Sequence, residues 1–265
     1  MMIRRGALEL LLAGLMLAVH CESTIIGCQG QTIEARSRFV EDGVTKQAAG
    51  AEWDGQSVEI ENAGVTPTGG LQLVVAGARV SATARMLAIA DTEDKANADR
   101  AIEAAKASYE VVTNGAVTTA RCGHGTPFGS AAAQDSGCDA LDVSLPAGTA
   151  EKLLMVKARS GTGLVVASLG EAMLGLLDLS GSHGTIEVTV AARAGAIISV
   201  VSETGDDVLL RLPADFAADA VVLEAPPDRI DTAAFPDLQA GKRGEPGRGA
   251  KSITVRAGRI VLTRQ

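Results

Sequence analysis

Aromatic side chains are scarce in this chain: its 265 residues include one Trp, one Tyr and four Phe, which is 2% of the total. A cleft that stacks sugars on aromatic rings would have almost nothing to be built from. Small and β-branched residues dominate the apolar share instead, together with 30 glycines. A core of Val, Ile, Leu and Ala is slim, and this composition favours a narrow coil of strands.

Histidine is rarer still, with His20, His124 and His183 as the three examples. A Ser/His/Asp triad would have to use His124 or His183. Ser182 precedes His183, but neighbours in a glycine turn point in different directions, and no Gly-x-Ser-x-Gly elbow occurs. We therefore expect no catalytic residues and predict that the chain is not an enzyme.

Signals for a cofactor or a metal are equally weak. The glycine-rich run from Gly123 lacks the strand, tight turn and helix of a dinucleotide-binding loop. The adjacent Asp206 and Asp207, with Asp139 and Asp142, could offer oxygens to Ca²⁺, but no repeated Gly-Gly-x-Gly-x-Asp unit accompanies them. We predict no cofactor and no metal.

Positive charge is in deficit. The formal net charge is −8, and loss of two arginines and one glutamate with residues 1–20 would make it −9. An acidic surface argues against a nucleic-acid partner and against electrostatic docking on anionic lipid.

The amino terminus carries an export signal. Arg4 and Arg5 precede an apolar run that is too short to cross a bilayer comfortably, which is typical of a signal peptide over residues 1–20. Cys21 directly follows the apolar core and is the candidate for lipidation, with Cys28 as the alternative. We expect an exported envelope protein, lipid-anchored at the outer membrane and facing the periplasm or the surface; ordinary secretion without lipid is the other possibility.

The other two cysteines, Cys122 and Cys138, flank a Gly/Ser/Ala-rich stretch. Export places them in an oxidising compartment, and a disulfide closing a loop of about 15 residues gains roughly 3 kcal/mol on the chain-entropy estimate. We predict that disulfide. A metal site on Cys122, His124 and Cys138 is the alternative, although it lacks compact two-plus-two spacing.

Three stretches beginning at Met155, Leu176 and Ile198 read alike. Each is a β-rich run, a Ser-led glycine turn and a second β-rich run, with turn serines at Ser160, Ser180 and Ser202. A fixed period of about 20 to 50 residues signals a repeat whose units stack. The pattern predicts a mainly β fold, a right-handed β-helix-like solenoid.

Other segments complete the organisation. We predict a polar tether over residues 21–37 and a single β-repeat domain over residues 38–265. Thr92 can cap a helix, and apolar residues at helical spacing follow, which predicts one amphipathic helix over about 92–109. A double proline opens a predicted flexible loop over about 226–250, and the segment from Ser252 is expected to form the terminal unit of the stack.

Three phrases resemble the putative-adhesin family of bacterial β-strand-repeat envelope proteins. They begin at Val58 (Val-Glu-Ile-Glu-Asn-Ala-Gly), at Leu141 (Leu-Asp-Val-Ser-Leu-Pro-Ala-Gly) and at Gly205 (Gly-Asp-Asp-Val-Leu-Leu-Arg-Leu-Pro-Ala). The resemblance implies an exported or envelope-anchored β-coil with no catalytic residues to carry over. The inserted helix and the stretch between Cys122 and Cys138 depart from the family's plain unit.

These patterns favour a non-catalytic envelope protein that is an adhesin-like or structural interaction module. An envelope-sensing lipoprotein that binds a protein partner is the alternative, and an enzyme acting on envelope polysaccharide is a further one. The expected partners are an envelope protein or polysaccharide, plus the membrane itself if the chain is lipidated.

Overall fold

The computed structural model describes residues 36–48, 52–63, 69–91, 95–123, 137–161, 163–191, 196–216, 220–235 and 252–265. These residues form strands β1 to β17 and one helix, α1 (Lys95–Ala107). The strands of the first half are β1 (Arg36–Gln47), β2 (Ser57–Asn62), β3 (Gly70–Val75), β4 (Ser81–Asp91), β5 (Tyr109–Asn114), β6 (Val117–Cys122), β7 (Gly137–Leu145) and β8 (Leu154–Ser160). The remaining strands are β9 (Leu164–Leu169), β10 (Leu174–Gly181), β11 (Ile186–Val190), β12 (Ile197–Ser202), β13 (Asp207–Leu212), β14 (Ala220–Glu224), β15 (Ile230–Asp231), β16 (Ser252–Arg256) and β17 (Arg259–Arg264).

The strands build two mixed sheets. Sheet I has the order β1-β4-β7-β3-β9-β11-β13-β17-β15, and sheet II has the order β14-β16-β12-β10-β8-β2-β6-β5. From β7 to β17, each strand lies in the opposite sheet from the strand before it. The mainly β class with one helix among the described residues is confirmed, while the solenoid stays a prediction.

Strands of the repeat region pair in parallel and in register. Ile186 of β11 lies between Val165 of β9 and Val208 of β13. In sheet II, Gly181 of β10 lies between Ser160 and Ser202, so equivalent positions recur 21 residues apart in both steps. The predicted repeat is therefore present in the pairing.

The prediction that Ser160, Ser180 and Ser202 are equivalent turn serines was wrong for Ser180. Ser180 pairs with Arg159 and Val201, one position out of step with the other two serines, and its place in the ladder is taken by Gly181. Ser160 and Ser202 are buried at the strand end. Because side chains alternate between faces, the one-residue offset makes Ser180 an outward residue.

The core lies between the sheets and follows this alternation. Strand β8 buries every second residue from Leu154 to Ser160, and β10 buries Leu177 and Leu179 completely. The inward side chains are overwhelmingly Leu, Val, Ile and Ala, as the composition predicted. The outward side chains of the same strands are left to define the surface.

Helix α1 and antiparallel strands cover one end of the stack. Ala101, Ile102 and Ala105 are buried on the helix side that packs against β4, β5 and β7. Tyr109 follows at the start of β5, and its hydroxyl donates to the Ala82 carbonyl. Burial raises the pKa of Tyr109 to about 12, against a smaller lowering by a backbone hydrogen bond from Lys46. The described helix begins at residue 95 and ends at 107, inside the predicted 92–109.

At the other end, the prediction that the last segment is the terminal unit is wrong. Strand β16 lies between β12 and β14, and β17 lies between β13 and β15, so the final pair of strands is inserted one position inside the edge. The edge is formed by β14 and β15. Phe216 and Phe235 pack edge to face there, with ring centroids 6.5 Å apart, and supply bulk where the core of smaller residues ends.

Two predicted boundaries also need correction. Residues 226–235, placed in a flexible loop, contain a 3₁₀ turn (Pro227–Arg229) and strand β15, because Pro227 suits the first position of a helical turn. Strand β1 begins at Arg36, so the predicted tether does not reach residue 37. No described helix combines the length and apolar character needed to span a bilayer.

Candidate binding face

The outward side of sheet II carries charges in ordered rows. Glu110, Arg121, Glu61 and Arg159 occupy neighbouring strands β5, β6, β2 and β8 at paired positions. Their signs alternate from one strand to the next. Two residues earlier along the strands, Glu59, Lys157 and Asp178 form a second alternating row on β2, β8 and β10. We call these seven side chains the charged face.

Ion pairs connect the strands of the charged face. Arg121 Nε lies 3.0 Å from Glu61 Oε2, and Lys157 Nζ lies 3.7 Å from Glu59 Oε1. All four side chains are about half exposed, and each such surface pair contributes about 0–1 kcal/mol to stability. These charges therefore shape the surface more than they hold the fold together.

A shallow groove runs through the charged face. Its volume is about 580 Å³, and its floor is formed at Ile60 and Ala158, whose side chains point into the core. The charged side chains stand around it, with Thr119 and Ser180 beside them. The face is therefore an open depression lined by both signs of charge.

The turn beside Arg159 fixes its position. The Arg159 guanidinium lies 3.2 Å from Glu203, and the Ser182 hydroxyl donates to the same carboxylate at 2.7 Å. The Ser182 hydroxyl lowers the pKa of Glu203 most, and the Arg159 charge adds to the lowering. In the adjoining turn, the Thr204 hydroxyl and the Gly184 N–H both donate to Asp206 and lower its pKa.

An apolar stripe borders the charged face at the beginning of the strands. Met155, Leu176 and Ile197 are paired on β8, β10 and β12. Met155 is 36% exposed and Ile197 is 50% exposed, and Leu153 beside them is 40% exposed. The charged rows are thus continuous with hydrophobic surface.

The outward side of sheet I is chemically different. One row carries Ser81, Ser144, Ser168, Thr189 and Thr263 along the sheet, with Val74 and Arg211 among them. We call this the hydroxyl face. Two of its ion pairs, Arg211 with Glu187 at 3.7 Å and Arg259 with Asp207 at 3.6 Å, lie toward the β17 side.

The structure brings Cys122 and Cys138 together. Cys122 ends β6, Cys138 lies at the start of β7, and their Cα atoms are 5.5 Å apart, which is disulfide geometry. Both are fully buried. One disulfide is therefore possible here, joining a strand of sheet II to a strand of sheet I. The lipidation candidates Cys21 and Cys28 and the alternative ligand His124 lie outside the described residues.

The other residues considered for chemistry do not converge. His183 is exposed in a turn. Asp139 is fully buried and paired with Arg85 at 2.8 Å, while Asp207 is paired with Arg259 on the hydroxyl face. Within the described ranges, no group of three or more His, Cys, Asp or Glu side chains is arranged to hold a metal ion.

Comparisons with known proteins do not assign this chain to a family. No protein-family model matches the sequence, and no curated protein matches it. Among solved structures, the fold is similar to a putative cell adhesion protein from Clostridium sporogenes, with 12% identity over 87% of this chain and 100% of that chain, and a TM-score of 0.43. A similarity this distant shows nothing about what this chain binds.

The charged face was missed from the sequence. Each strand shows the alternation by itself, in Glu59 and Glu61 and again in Lys157 and Arg159. The complementarity appears only when β2 is placed between β6 and β8, strands that are distant in the chain. The signal available in the sequence was that the outward positions of one predicted strand are acidic while those of another predicted strand are basic.

Proposed function

We propose that this protein is a non-catalytic, exported interaction module of the bacterial cell envelope, adhesin-like or structural, built as a right-handed β-solenoid. The alternation of strands between two sheets and the 21-residue register support a coil. The basic and apolar start of the chain supports export. Stacked repeats create long, regular surfaces that suit binding.

The charged face is the observation that carries this proposal. Its side chains alternate in sign along sheet II, surround a groove of about 580 Å³ and adjoin exposed apolar residues. Complementary charge gives an interface its specificity and orientation, and exposed apolar surface adds affinity. An envelope protein or polysaccharide carrying both signs of charge is the partner class that fits this surface.

A pair of double variants tests the proposal. Lys157→Glu with Arg159→Glu reverses two charges on the charged face, and we expect binding of the purified protein to bacterial envelope fractions to fall at least about 10-fold. Arg211→Glu with Arg259→Glu makes the same charge change on the hydroxyl face at equally ion-paired, exposed arginines. This control should bind within about twofold of the unaltered protein. Equal loss in both variants would mean that net charge, and not this face, governs binding.

Envelope anchoring through lipid is part of the same proposal. The thiol of Cys21, or of Cys28 as the alternative, would carry the lipid, because each lies shortly after the apolar segment. Mass spectrometry of the mature amino terminus should show a lipidated cysteine as the first residue. An unmodified terminus at another residue would leave ordinary secretion.

A further inference from the structure

The centre of the charged face, on β2 and β8, is complementary to itself under a two-fold rotation. The relevant axis runs parallel to the strands, in the plane of contact, midway between β2 and β8. Such an axis keeps position along the strand and exchanges β2 with β8, β6 with β10 and β5 with β12, which are the neighbours on either side in sheet II. Two copies related in this way would meet face to face.

Four of the seven charges match under this operation, while Arg121, Asp178 and Glu110 come opposite Ser180, Thr119 and Val201. Glu59 is paired in register with Lys157, and Glu61 with Arg159, across the β2–β8 ladder. The rotation therefore places Glu59 of one copy opposite Lys157 of the other, and Glu61 opposite Arg159, and each match occurs twice. A two-fold axis running along the stack would instead set like charges opposite each other.

Uncharged positions match as well. Val117 on β6 and Leu176 on β10 occupy the same row, so each copy would place Leu176 against Val117 of the other. Met155 would meet the small Ser57. The long side chains of each copy would enter the groove of the other copy, so both grooves would be filled.

The size of the surface is sufficient for a weak dimer. Six strands spaced about 4.8 Å apart, each with about six residues rising about 3.3 Å, present about 600 Å² per copy. The total of about 1,200 Å² lies at the lower end of specific protein interfaces. The rest of an acidic chain repels its copy, so this near-neutral face is the place where two copies can approach.

We infer that the partner of the charged face is a second copy of this chain, bound through an isologous contact of sheet II on sheet II. The inference rests on the proposed function and names its partner. The module would then bind its own kind. Two charge matches, each occurring twice, give four intermolecular charge pairs, and these pairs and a short apolar row would set the affinity.

Charge-swapped variants test this inference directly. Glu59→Lys with Glu61→Lys makes one chain basic at both strands, and Lys157→Glu with Arg159→Glu makes another acidic at both. Every chain in this test carries Cys21→Ser and Cys28→Ser to exclude lipid. We expect each charge variant alone to be monomeric in sedimentation equilibrium at concentrations where the chain with its natural charges forms dimers. An equimolar mixture of the two variants should dimerise at least about 10-fold more tightly than either alone.

The recovery in the mixture shows that both variants are folded. The matched control reverses the hydroxyl face, using Glu187→Lys with Asp207→Lys mixed with Arg211→Glu with Arg259→Glu, and it should give no added association through the reversed charges. A monomeric unaltered chain, variants that associate like it, or a mixture without gain would each overturn the inference.

The two proposals can fail separately. In one case, the chain is monomeric but Lys157→Glu with Arg159→Glu abolishes envelope binding. The proposal of an interaction module would then stand, and the inference that a second copy is its partner would fail. In the opposite case, the chain dimerises through the swapped charges but envelope binding does not change with them. Self-association would then stand, and the proposal of an envelope partner for this face would fail.

Discussion

The outward faces of the two sheets rest on one core but differ in chemistry. Sheet II alternates acidic and basic side chains from strand to strand, whereas sheet I presents a row of serines and threonines. Both use the same alternation, since most inward positions are taken by Leu, Val, Ile or Ala. Because the fold constrains only the inward residues, the outward residues are free to carry function, and the difference between the faces is where function is to be sought.

Removing the shared core should destroy both faces together and give the largest effect. Leu179 is fully buried on β10 between the sheets. We expect Leu179→Ala to lower the free energy of unfolding by about 4 kcal/mol, measured by urea denaturation. Ile197→Ala, at a half-exposed position one strand away, should cost less than about 1 kcal/mol. Similar losses would mean that the stripe containing Ile197 is not exposed surface.

The cysteine pair joins the two faces at one end of the stack. Cys122→Ser with Cys138→Ser should lower the free energy of unfolding by about 3 kcal/mol, since a cross-link of this span restricts the unfolded chain. Thermal unfolding with and without reductant measures the loss. Reductant should destabilise the unaltered protein and leave the double variant unchanged; insensitivity of both would mean that the thiols are free.

Single arginine removals should separate stability from binding. Arg159→Ala on the charged face and Arg259→Ala on the hydroxyl face each delete one exposed ion pair. Both should change the free energy of unfolding by less than about 1 kcal/mol. Self-association should weaken several-fold for Arg159→Ala only, as measured by sedimentation equilibrium, and a matching loss for Arg259→Ala would erase the distinction between the faces.

Acid should have the smallest effect, at the turns beside the charged face. The pKa of Glu203 is lowered from 4.5 by Ser182 and then by Arg159, and the pKa of Asp206 is lowered by Thr204 and Gly184. A lowered folded pKa gives stability that is present above the unfolded value and is lost as pH falls through the folded value. Ser182→Ala should raise the pKa of Glu203 toward 4.5 in an NMR titration, while Asp206 should stay in place. An unchanged Glu203 pKa would contradict the hydroxyl's role.

Local pattern predicted much of this structure. Alternation in segments such as Ser57–Asn62 identified strands, and capping with helical spacing placed the single described helix near its observed position. The end of the stack was not predictable in this way. The order β12-β16-β14 depends on where the last strands insert, and nothing in the residues of β14 or β16 specifies a neighbour that lies tens of residues away in the chain.

The candidate site shows the same limit. Glu59 and Lys157 are ordinary outward residues of separate strands, and only the register of β2 on β8 makes them complementary. The prediction that Ser180 is equivalent to Ser160 was wrong. A serine beside a glycine resembles the turn serines one repeat away, but strand pairing puts Gly181 in that position. Register is set by whole-strand packing, which a single short motif does not encode.

Hydroxyl-radical footprinting of the free and the bound protein shows which face makes the contact. Bound to envelope fractions, or concentrated until it pairs with itself, the protein should show protection of Met155 and the rest of β8, while β13 from Asp207 to Leu212 keeps its reactivity. Protection of β13 with an unprotected β8 would place the contact on the hydroxyl face and rule out the charged face as the binding surface.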